Sequence, residues 1–428
     1  MPSFHLQNYG CRASQADGAA IESALLREGF HSVANSPDAQ LVVLNTCTVT
    51  SLADEDVRNT IHRVHRENPA ARILVTGCFA QRAPQELAVL PGVYWVVGNS
   101  HKAQISDIVT ESSLAYHGQI HVGDISSQRD FLTASVEDAA GDRTRPNLKI
   151  QDGCNNRCSF CIIPSVRGPS RSASADRVVA QVGDLAARYR EVVLSGINLG
   201  RWGREPGSSL RLADLVRRLL DETPIARLRL SSVEPMDWSD DLLDLVASSG
   251  RIAKHVHAPL QSGSDRVLRR MHRKYRPRHY EDRILKARAS MPDAAIGADV
   301  MTGFPGETDA EFEESRAFIQ SLPFTYLHVF TYSERPGTPA AASEQVPMEL
   351  RRERNRILRE LAAEKNLEFR RRMLGRALSV VTLSEGALSN NFLKVELATP
   401  RERNQLMDVK IGSITANGLR EDGGFTVL

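Results

Sequence analysis

Residues 148–161 read Leu-Lys-Ile-Gln-Asp-Gly-Cys-Asn-Asn-Arg-Cys-Ser-Phe-Cys, and this stretch decides the fold of the central part of the chain. A short strand-like run, Leu148 to Gln151, is followed at once by a loop that carries three closely spaced cysteines, Cys154, Cys158 and Cys161. In α/β proteins the loops at the carboxyl ends of parallel strands build the functional sites. The stretch therefore predicts a βα unit whose loop carries chemistry.

The same strand-then-helix pattern continues along the chain. Five further strand-like runs, separated by helical patterns, are Val192 to Leu194, Leu228 to Ser231, His255 to Leu260, Ala295 to Val300 and Tyr326 to Phe330. Repeated βα units of this kind predict a parallel sheet closed into a full or partial barrel over residues 140–370.

Three thiolates in one loop indicate a metal site. Spacings of three and two residues suit three corners of a 4Fe-4S cluster, and without a fourth cysteine one iron keeps an open position. Such an iron can chelate the amino and carboxylate groups of S-adenosylmethionine, and an electron from the cluster then releases a 5′-deoxyadenosyl radical. Zinc is the alternative, but it prefers four ligands with paired cysteines and histidines, and no histidine lies between Thr144 and His255. A loop without metal is the second alternative.

The first hundred residues alternate strands and helices in the same way. Strands are predicted at Phe4 to Leu6, Leu41 to Leu44, Ile73 to Val75 and Val93 to Val97, and helices at Gln15 to Glu28 and Leu52 to Glu67. This order predicts a doubly wound parallel α/β domain over residues 1–135. Cys11, Cys47 and Cys78 each follow a strand, so they are expected at one carboxyl edge. Isolated cysteines are more often small buried apolar residues, and that interpretation stays open beside a shared metal site.

The carboxyl-terminal part is predicted to be a small β-barrel over residues 375–428. It follows a polar linker at Val136 to Pro146, the central barrel and an Arg-rich helix at Met348 to Leu374. The short strand-like runs are Ala377 to Leu383, Phe392 to Leu397, Val409 to Ile414 and Phe425 to Leu428.

Composition limits the class of protein. The 428 residues contain 54 Lys plus Arg against 52 Asp plus Glu, a net charge of +2 that by itself favours no charged partner. No apolar run approaches the roughly 18 residues of a membrane span, and Met1 to His5 lacks signal-peptide features, so we expect a cytoplasmic protein. In that compartment six cysteines favour metal sites over three disulfides.

Many motifs together resemble the methylthiotransferases among the radical S-adenosylmethionine enzymes. The motifs, as they stand in this sequence, are Tyr9 to Cys11, Asn45 to Thr50, Val75 to Gln81, Ile150 to Cys154, Cys158 to Pro164, Arg167-Gly168, Arg171-Ser172, Ser195 to Gly200, Ser231 to Pro235, Pro259 to Asp265 and Gly303 to Thr308. They cover the chain from about Leu6 to Pro339. Their number and order make a chance resemblance implausible.

The resemblance implies two 4Fe-4S clusters. Cys154, Cys158 and Cys161 would hold the cluster that makes the radical, and Cys11, Cys47 and Cys78 a second one that delivers sulfur, methylated by a first S-adenosylmethionine before a second supplies the radical. It also implies contacts to S-adenosylmethionine from Gly196, Asn198, Gly200, Ser232, Glu234 and Gln261. From the residues alone, Gly196 to Gly203 is equally well a tight βα turn, and Thr308 with Glu311 forms a helix capping box.

The wording of the motifs is closest to the branch that acts on N6-threonylcarbamoyladenosine in tRNA. The acceptor would be C2 of that adenine. Other branches act on isopentenyladenosine in tRNA or on an aspartate of a ribosomal protein. The implied partners are the modified tRNA, an electron donor such as flavodoxin or ferredoxin, and a sulfur donor. A zinc-binding RNA module remains the non-enzyme alternative.

Two basic segments are candidates for tRNA contact. Residues 265–288 contain ten Lys or Arg and three Asp or Glu, and residues 351–376 contain ten and four. Such patches contact phosphates, although a solvated helix face is the plainer interpretation of the second. The terminal domain resembles an RNA-binding TRAM barrel, with Phe392 and Phe425 as its aromatic residues.

Overall fold

The computed structural model describes residues 2–111, 116–128 and 144–423. The described part contains a parallel sheet, a partial barrel and a closed β-barrel, which confirms the predicted α/β fold class. Within it, no helix is long and apolar enough to cross a membrane. The proposed linker at 136–146 lies mostly outside the described residues, so the domain boundaries stay predictions.

The amino-terminal sheet is parallel throughout, with the strand order β2-β1-β3-β4-β5-β6. Its strands are β1 (Ser3–Asn8), β2 (His31–Ser32), β3 (Leu41–Thr46), β4 (Arg72–Gly77), β5 (Val93–Gly98) and β6 (Gln119–His121). Its helices are α1 (Arg12–Arg27), α2 (Ser51–Glu67), α3 (Cys78–Arg82), α4 (Pro84–Ala88) and α5 (Ile105–Glu111). Apolar clusters bury both faces of the sheet, as a doubly wound fold requires.

The central domain contains the six predicted parallel strands and one that was not predicted. The strands are β7 (Asn147–Asp152), β8 (Arg171–Ser172), β9 (Glu191–Gly196), β10 (Arg227–Leu230), β11 (His255–His257), β12 (Ala295–Thr302) and β13 (Tyr326–Thr331). The short β8 pairs antiparallel with β7 at one edge. The arcs β8-β7-β9-β10 and β11-β12-β13 meet at the isolated bridge Leu228 to Ile252 and at a bond from the Val233 N–H to the His257 carbonyl at 3.1 Å. Among the described residues β13 does not pair with β7 or β8, so the barrel is partial.

Helices pack around the outside of this barrel. They are α6 (Ile163–Arg167), α7 (Ala175–Ala186), α8 (Leu212–Glu222), α9 (Asp240–Ser248), α10 (Asp265–Arg270), α11 (Pro277–Ser290), α12 (Asp309–Ser321) and α13 (Met348–Arg372). Leu228, Val256 and Ile296 belong to the apolar core beneath the helices. Since side chains alternate along a strand, Arg229, His255 and Gly297 face the inner side, the lumen.

A buried ionic network joins the amino-terminal domain to the barrel. Asp17 on α1 accepts a hydrogen bond from Arg167 at 3.0 Å and from Lys102 at 3.0 Å, and it also pairs with Lys149 on β7. Asp152 pairs with Lys149 at 2.8 Å and with Arg167 at 3.0 Å. All five side chains are almost completely buried. Helix α1 therefore lies against β7 in one defined position.

The carboxyl-terminal strands form a closed barrel. They are β14 (Ala377–Thr382), β15 (Ala387–Ser389), β16 (Lys394–Glu396), β17 (Leu406–Ile414) and β18 (Leu419–Glu421), in the order β14-β15-β16-β18-β17. The strands β15 and β18 were not predicted, and the predicted strand Phe425 to Leu428 lies outside the described residues. Phe392 packs inward on His255, with ring centroids 4.3 Å apart.

Candidate functional site

The amino-terminal cysteines lie at one edge of their sheet. Cys11 follows β1 and caps α1, Cys47 directly follows β3, and Cys78 directly follows β4. These three strands are neighbours and parallel, so the predicted convergence at the carboxyl edge is observed.

Two glycines let the cysteine loops approach each other. Gly10 has a φ of +89°, and a Cβ there would lie 2.9 Å from the Sγ of Cys47. Gly77 has a φ of +99°, and a Cβ there would lie 2.4 Å from the Thr46 carbonyl oxygen. Burial, together with the neighbouring Cys78 and Cys11, raises the pKa of Cys47 to about 12. A buried thiolate is unfavourable unless a cation neutralises it, so this donor set suits a bound metal cluster.

Arg167 and Asn99 connect this edge to the barrel. Arg167 donates to the Ser14 Oγ at 3.1 Å, and that oxygen lies 3.7 Å from the Cys11 Sγ. Its pKa is raised well above the usual value because Cys78, Asp152 and Asp17 lie nearby, which outweighs its burial. Asn99 places its Nδ2 at 3.6 Å from the Cys78 Sγ and donates to the Val166 carbonyl at 2.7 Å. Arg167, a residue of the barrel, thus places its positive charge near the cysteines of the amino-terminal domain.

The second cysteine trio lies in the loop between β7 and α6. Cys154 accepts contacts from the Asn156 backbone N–H at 3.4 Å and the Asn198 Nδ2 at 3.7 Å. The Cys161 N–H bonds to the Cys158 carbonyl at 3.1 Å. Burial raises the pKa of Cys161 to about 12 and also raises that of Cys154. These thiols, too, suit a metal that neutralises their thiolates.

Arg273 supplies positive charge to this loop. It lies 3.2 Å from the Cys158 Sγ and pairs with Glu234 at 2.5 Å, and only 7% of it is exposed. Neighbouring Tyr275, Glu234 and Cys158 raise its pKa well above the usual value, in spite of burial, which lowers it. Arg273 belongs to the basic segment 265–288, so this member of the segment is a buried site residue and not a surface cation.

The loop after β9 lies against the cysteine loop. A Cβ on Gly196 would lie 2.9 Å from Gln151, and one on Gly200 would lie 2.4 Å from the Asp237 Cβ. The Asn198 N–H donates to the Gln151 Oε1 at 2.6 Å. Buried Asn198 Oδ1 has no hydrogen-bond partner among the described residues. The tight βα turn expected from the sequence explains both glycines. It does not explain the Asn198 Oδ1, whose missing partner among the described residues indicates a bound ligand.

Three further candidate residues differ in their surroundings. Ser232 is exposed, and Glu234 is held by Arg273. Gln261 has a φ of +67°, and its buried Oε1 has no hydrogen-bond partner among the described residues. Its backbone bonds to Asp299 at 2.8 Å and to Met301 at 2.9 Å, so the strained residue is firmly fixed.

A cavity of about 200 Å³ lies beside Cys161, between the barrel and the loop after Cys47. Val49 and Thr50 line it from the amino-terminal domain, and Cys161, Gln261 and Arg335 line it from the barrel. Arg335 pairs with Asp54 at 2.7 Å and donates to the Thr48 carbonyl at 3.0 Å. Cys78 belongs to the same apolar cluster as Ile162, the residue after Cys161. The segments that follow Cys78 and Cys161 therefore pack together where the two domains meet.

The lumen holds a hydrogen-bonded group of rings below this space. The Tyr326 hydroxyl lies 2.6 Å from the His255 Nε2 and 2.7 Å from the His257 Nδ1. Asp299 lies 3.2 Å from both His257 and His328. The pKa of Asp299 is held below its usual range by these histidines, against burial. His257, Asp299 and His328 bring three donor atoms within 4.8 Å of one another.

Several arginines of the two basic segments form ion pairs and hydrogen bonds within the protein. In the second, Arg351 donates to backbone carbonyls, Arg354 pairs with Glu307 at 2.8 Å, and Arg370 donates to the terminal barrel. In the first, Arg270 pairs with Glu311, which also completes the predicted capping box with Thr308. Many of these charges thus stabilise the protein, and tRNA contact by the rest stays a prediction.

Two family models match the chain. Residues 148–319 match the radical SAM superfamily, and residues 3–98 match the family described as Uncharacterized protein family UPF0004. A relative from Aquifex aeolicus, "Threonylcarbamoyladenosine tRNA methylthiotransferase MtaB", is 36% identical over 95% of this chain and 99% of its own length. A relative with the same name from Bacillus subtilis is 39% identical over 82% of this chain and 78% of its own length.

The chain belongs to the methylthiotransferase family of radical S-adenosylmethionine enzymes. The predicted resemblance is thereby confirmed. Another relative, "tRNA-2-methylthio-N(6)-dimethylallyladenosine synthase" from Desulforamulus reducens, is 31% identical over 96% of this chain and 90% of its own length. Among solved structures, the radical S-adenosylmethionine methyltransferase TsrM from Kitasatospora setae matches with a TM-score of 0.55 and 16% identity, over 79% of this chain and 76% of that one. That match concerns the fold.

The methylthiotransferase family uses 4Fe-4S clusters and S-adenosylmethionine. The chain offers two sets of three cysteines, and each set has a buried cation close by, Arg167 or Arg273. The thiolates of a cluster carry negative charge, so both donor sets fit the group.

Sequence reasoning missed several residues that contact the two cysteine-bearing regions. Arg273 was counted only as part of a basic segment, and Asn99 gave no signal. Arg167 and Gln151 lie in quoted motifs, yet nothing in the motifs shows that one contacts the amino-terminal cysteines and the other holds Asn198.

Proposed function

We propose that this protein is a tRNA methylthiotransferase that inserts a methylthio group at C2 of N6-threonylcarbamoyladenosine. Cys154, Cys158 and Cys161 hold the cluster that generates the radical. Cys11, Cys47 and Cys78 hold the cluster that delivers sulfur. Two molecules of S-adenosylmethionine are used per turnover, one as methyl donor and one as radical source.

The observation that carries the proposal is the packing of the two cysteine-bearing regions against each other. Cys78 shares an apolar cluster with Ile162, the residue after Cys161, and Arg167 of the barrel donates to Ser14 beside Cys11. A reaction that needs a radical and a sulfur donor at one base requires two sites that lie close together. The curated relatives named for threonylcarbamoyladenosine support the choice of acceptor.

The chain's own residues would position the reactants. The cluster held by Cys154, Cys158 and Cys161 would supply one electron for the cleavage of S-adenosylmethionine into methionine and a 5′-deoxyadenosyl radical, which would take the hydrogen of the adenine C2 and leave as 5′-deoxyadenosine. Asn198, fixed by Gln151, and Gln261 present unpaired amide oxygens to the space beside Cys154 and Cys161. Gly196, Gly200, Ser232 and Glu234 complete the proposed S-adenosylmethionine site. Arg273 keeps positive charge beside Cys158.

The remaining partners belong to the same proposal. A low-potential electron donor such as flavodoxin or ferredoxin supplies electrons, and a separate donor renews the sulfur. We place the reaction in the cytoplasm. The domains would be residues 1–135 for sulfur delivery, 140–370 for radical generation and 375–428 for tRNA contact.

The test is turnover by the reconstituted enzyme on threonylcarbamoylated tRNA, followed by nucleoside mass spectrometry. The parent should form the 2-methylthio product. Cys158→Ala should form neither product nor 5′-deoxyadenosine, while Cys47→Ala should still form 5′-deoxyadenosine but no product. Normal product from Cys47→Ala would contradict two separate roles.

A second acceptor is favoured by one comparison, the relative named for dimethylallyladenosine. The same assay with isopentenyladenosine tRNA separates the two, and a ribosomal protein serves as the third acceptor. Product only on isopentenyladenosine would replace our assignment. A colourless protein that contains zinc and no iron would leave only an RNA-binding role.

A further inference from the structure

Cations outnumber carboxylates in one part of the lumen. Glu191, at the start of β9, is completely buried and bonds to Arg229 at 2.8 Å and to Arg145 at 3.1 Å. Arg227 lies 3.6 Å from its other oxygen. These three guanidinium groups lower the pKa of Glu191 to about 2 although burial raises it. The single carboxylate is therefore already shared among three positive charges.

Arg12 is a fourth guanidinium group at this place, and it has no partner among the described residues. It is the first residue of α1, directly after Cys11, and its side chain is partly buried. Within the described residues it donates no hydrogen bond and forms no ion pair, whereas its backbone carbonyl accepts a bond from Asn147 at 2.6 Å. The guanidinium groups of Arg145 and Arg229 lie near it, and the one neighbouring carboxylate, Glu191, already bonds to them. A guanidinium group in such surroundings favours the arrival of an anion.

The space in front of Arg12 has room for a ligand. Arg12 and Arg145 line a cavity of about 760 Å³ whose opposite wall comes from the terminal barrel, including Phe392, Lys394 and Arg401. This volume lies within the range of small-molecule sites, about 300 to 1,000 Å³. Phe392 stacks on His255 and lies 5.4 Å from the Tyr326 ring. The cavity thus combines a rigid aromatic wall with an unpaired cation.

We propose that Arg12 binds the carboxylate of the threonylcarbamoyl group on the acceptor adenosine. This inference rests on the proposed function and identifies the side chain that recognises the N6 substituent of the substrate. A planar guanidinium group matches a carboxylate through two parallel hydrogen bonds. Arg12 is also the residue next to Cys11, so an anchor there ties the N6 substituent to the end of α1 that begins at a cysteine of the amino-terminal trio. An acceptor with an uncharged N6 substituent gains nothing from this contact.

A backbone phosphate of the tRNA offers similar chemistry, so the experiment must separate the two sources. We would measure, by fluorescence anisotropy, the binding of anticodon stem-loop RNAs to the reconstituted full-length protein. One RNA carries threonylcarbamoyladenosine, a second carries its methyl ester, and a third carries unmodified adenosine. The parent should prefer the first over the other two by at least about tenfold, which corresponds to about 1.4 kcal/mol, the lower end of what a hydrogen bond to a charged group contributes.

Arg12→Gln should remove this preference and leave the affinity for unmodified RNA unchanged. Arg66→Gln, an exposed arginine of α2, is the matched control and should change neither value. Iron content and visible absorption establish that the variant is folded and loaded. Should Arg12→Gln lose its clusters, the parent with the methyl ester decides, because a neutral ester should bind no better than unmodified RNA.

Three results would overturn the proposal. Equal weakening of all RNAs by Arg12→Gln would assign Arg12 to a phosphate. An unchanged preference in Arg12→Gln would exclude a role in recognition. Equal binding of the methyl ester RNA and the threonylcarbamoyladenosine RNA by the parent would show that the protein does not recognise the carboxylate charge. Failure of the proposed function is a separate result, namely no methylthio product from the parent on threonylcarbamoylated tRNA.

Discussion

Asp17→Asn tests whether the buried ionic network holds the two cysteine-bearing domains together. Asp17 is 2% exposed and pairs with Lys102, Lys149 and Arg167. After the substitution, Lys149 and Arg167 would keep Asp152, and Lys102 would keep only the neutral Asn45 Oδ1 at 3.3 Å. Breaking a buried ion pair by removing one partner costs about 3 to 5 kcal/mol. We expect a loss of that size in the free energy of unfolding, measured by urea denaturation of the reconstituted protein.

The pH dependence of this network has a definite sign. The neighbouring cations hold the pKa of Asp17 below its usual range, although burial raises it. A carboxyl group with a depressed pKa stabilises the fold above its unfolded pKa, and this contribution is lost as the pH falls below about 4. The parent should therefore lose stability on acidification from pH 5 more steeply than Asp17→Asn does.

Asp240→Asn provides the matched control. Asp240 also pairs with two cations, Arg283 and Lys286, but more than half of its side chain is exposed. Solvent screens such pairs, so this substitution should change stability little. The double variant Asp17→Asn, Lys102→Met removes one negative and one positive charge from the network. It should therefore recover part of the free energy of unfolding that Asp17→Asn loses. A loss below about 1 kcal/mol in Asp17→Asn would refute our account of a tightly coupled network.

Two further substitutions probe the cysteine loops. Gly77→Ala should lower the free energy of unfolding by about 2 to 4 kcal/mol, because alanine is strained at a φ of +99° and its Cβ would overlap the Thr46 carbonyl. Gly29→Ala is the control, since Gly29 has a φ of +83° and no neighbour within 4 Å. It should show the backbone strain alone in the same denaturation assay. Arg273→Met should make the reduction potential of the cluster beside Cys158 more negative. A unit charge about 4 Å away contributes up to about 4 kcal/mol at an effective dielectric constant near 20. An unchanged midpoint potential in a redox titration followed by electron paramagnetic resonance would exclude this electrostatic role.

The strand-and-helix order was predictable because apolar periodicity reports local burial. All six strands predicted for the barrel and all four predicted for the amino-terminal sheet were found near their predicted positions. The edge strand β8 has two residues and carries no pattern of its own, so the sequence did not predict it. The terminal strands β15 and β18 have three residues each, and tertiary pairing in a closed barrel defines them.

The cysteines were predictable as site candidates because a strand end at a parallel sheet edge places the next residue there. The residues that support them were not, because their roles depend on contacts over long sequence separations. Arg167 reaches Ser14 across 153 positions, and Arg273 reaches Cys158 across 115. Charge counts also misled for the basic segments, since a count does not distinguish Arg354, buried against Glu307, from a solvated arginine.

The most direct test of two separate cluster sites is the iron and acid-labile sulfide content per chain after anaerobic reconstitution. The parent should bind about eight irons, as two clusters of four require, and the triple variant Cys154→Ala, Cys158→Ala, Cys161→Ala should bind about four. The reciprocal triple variant of Cys11, Cys47 and Cys78 should also retain about four irons. About four irons in the parent, all lost in the first variant, would contradict a second cluster, and zinc in place of iron would contradict the radical mechanism altogether.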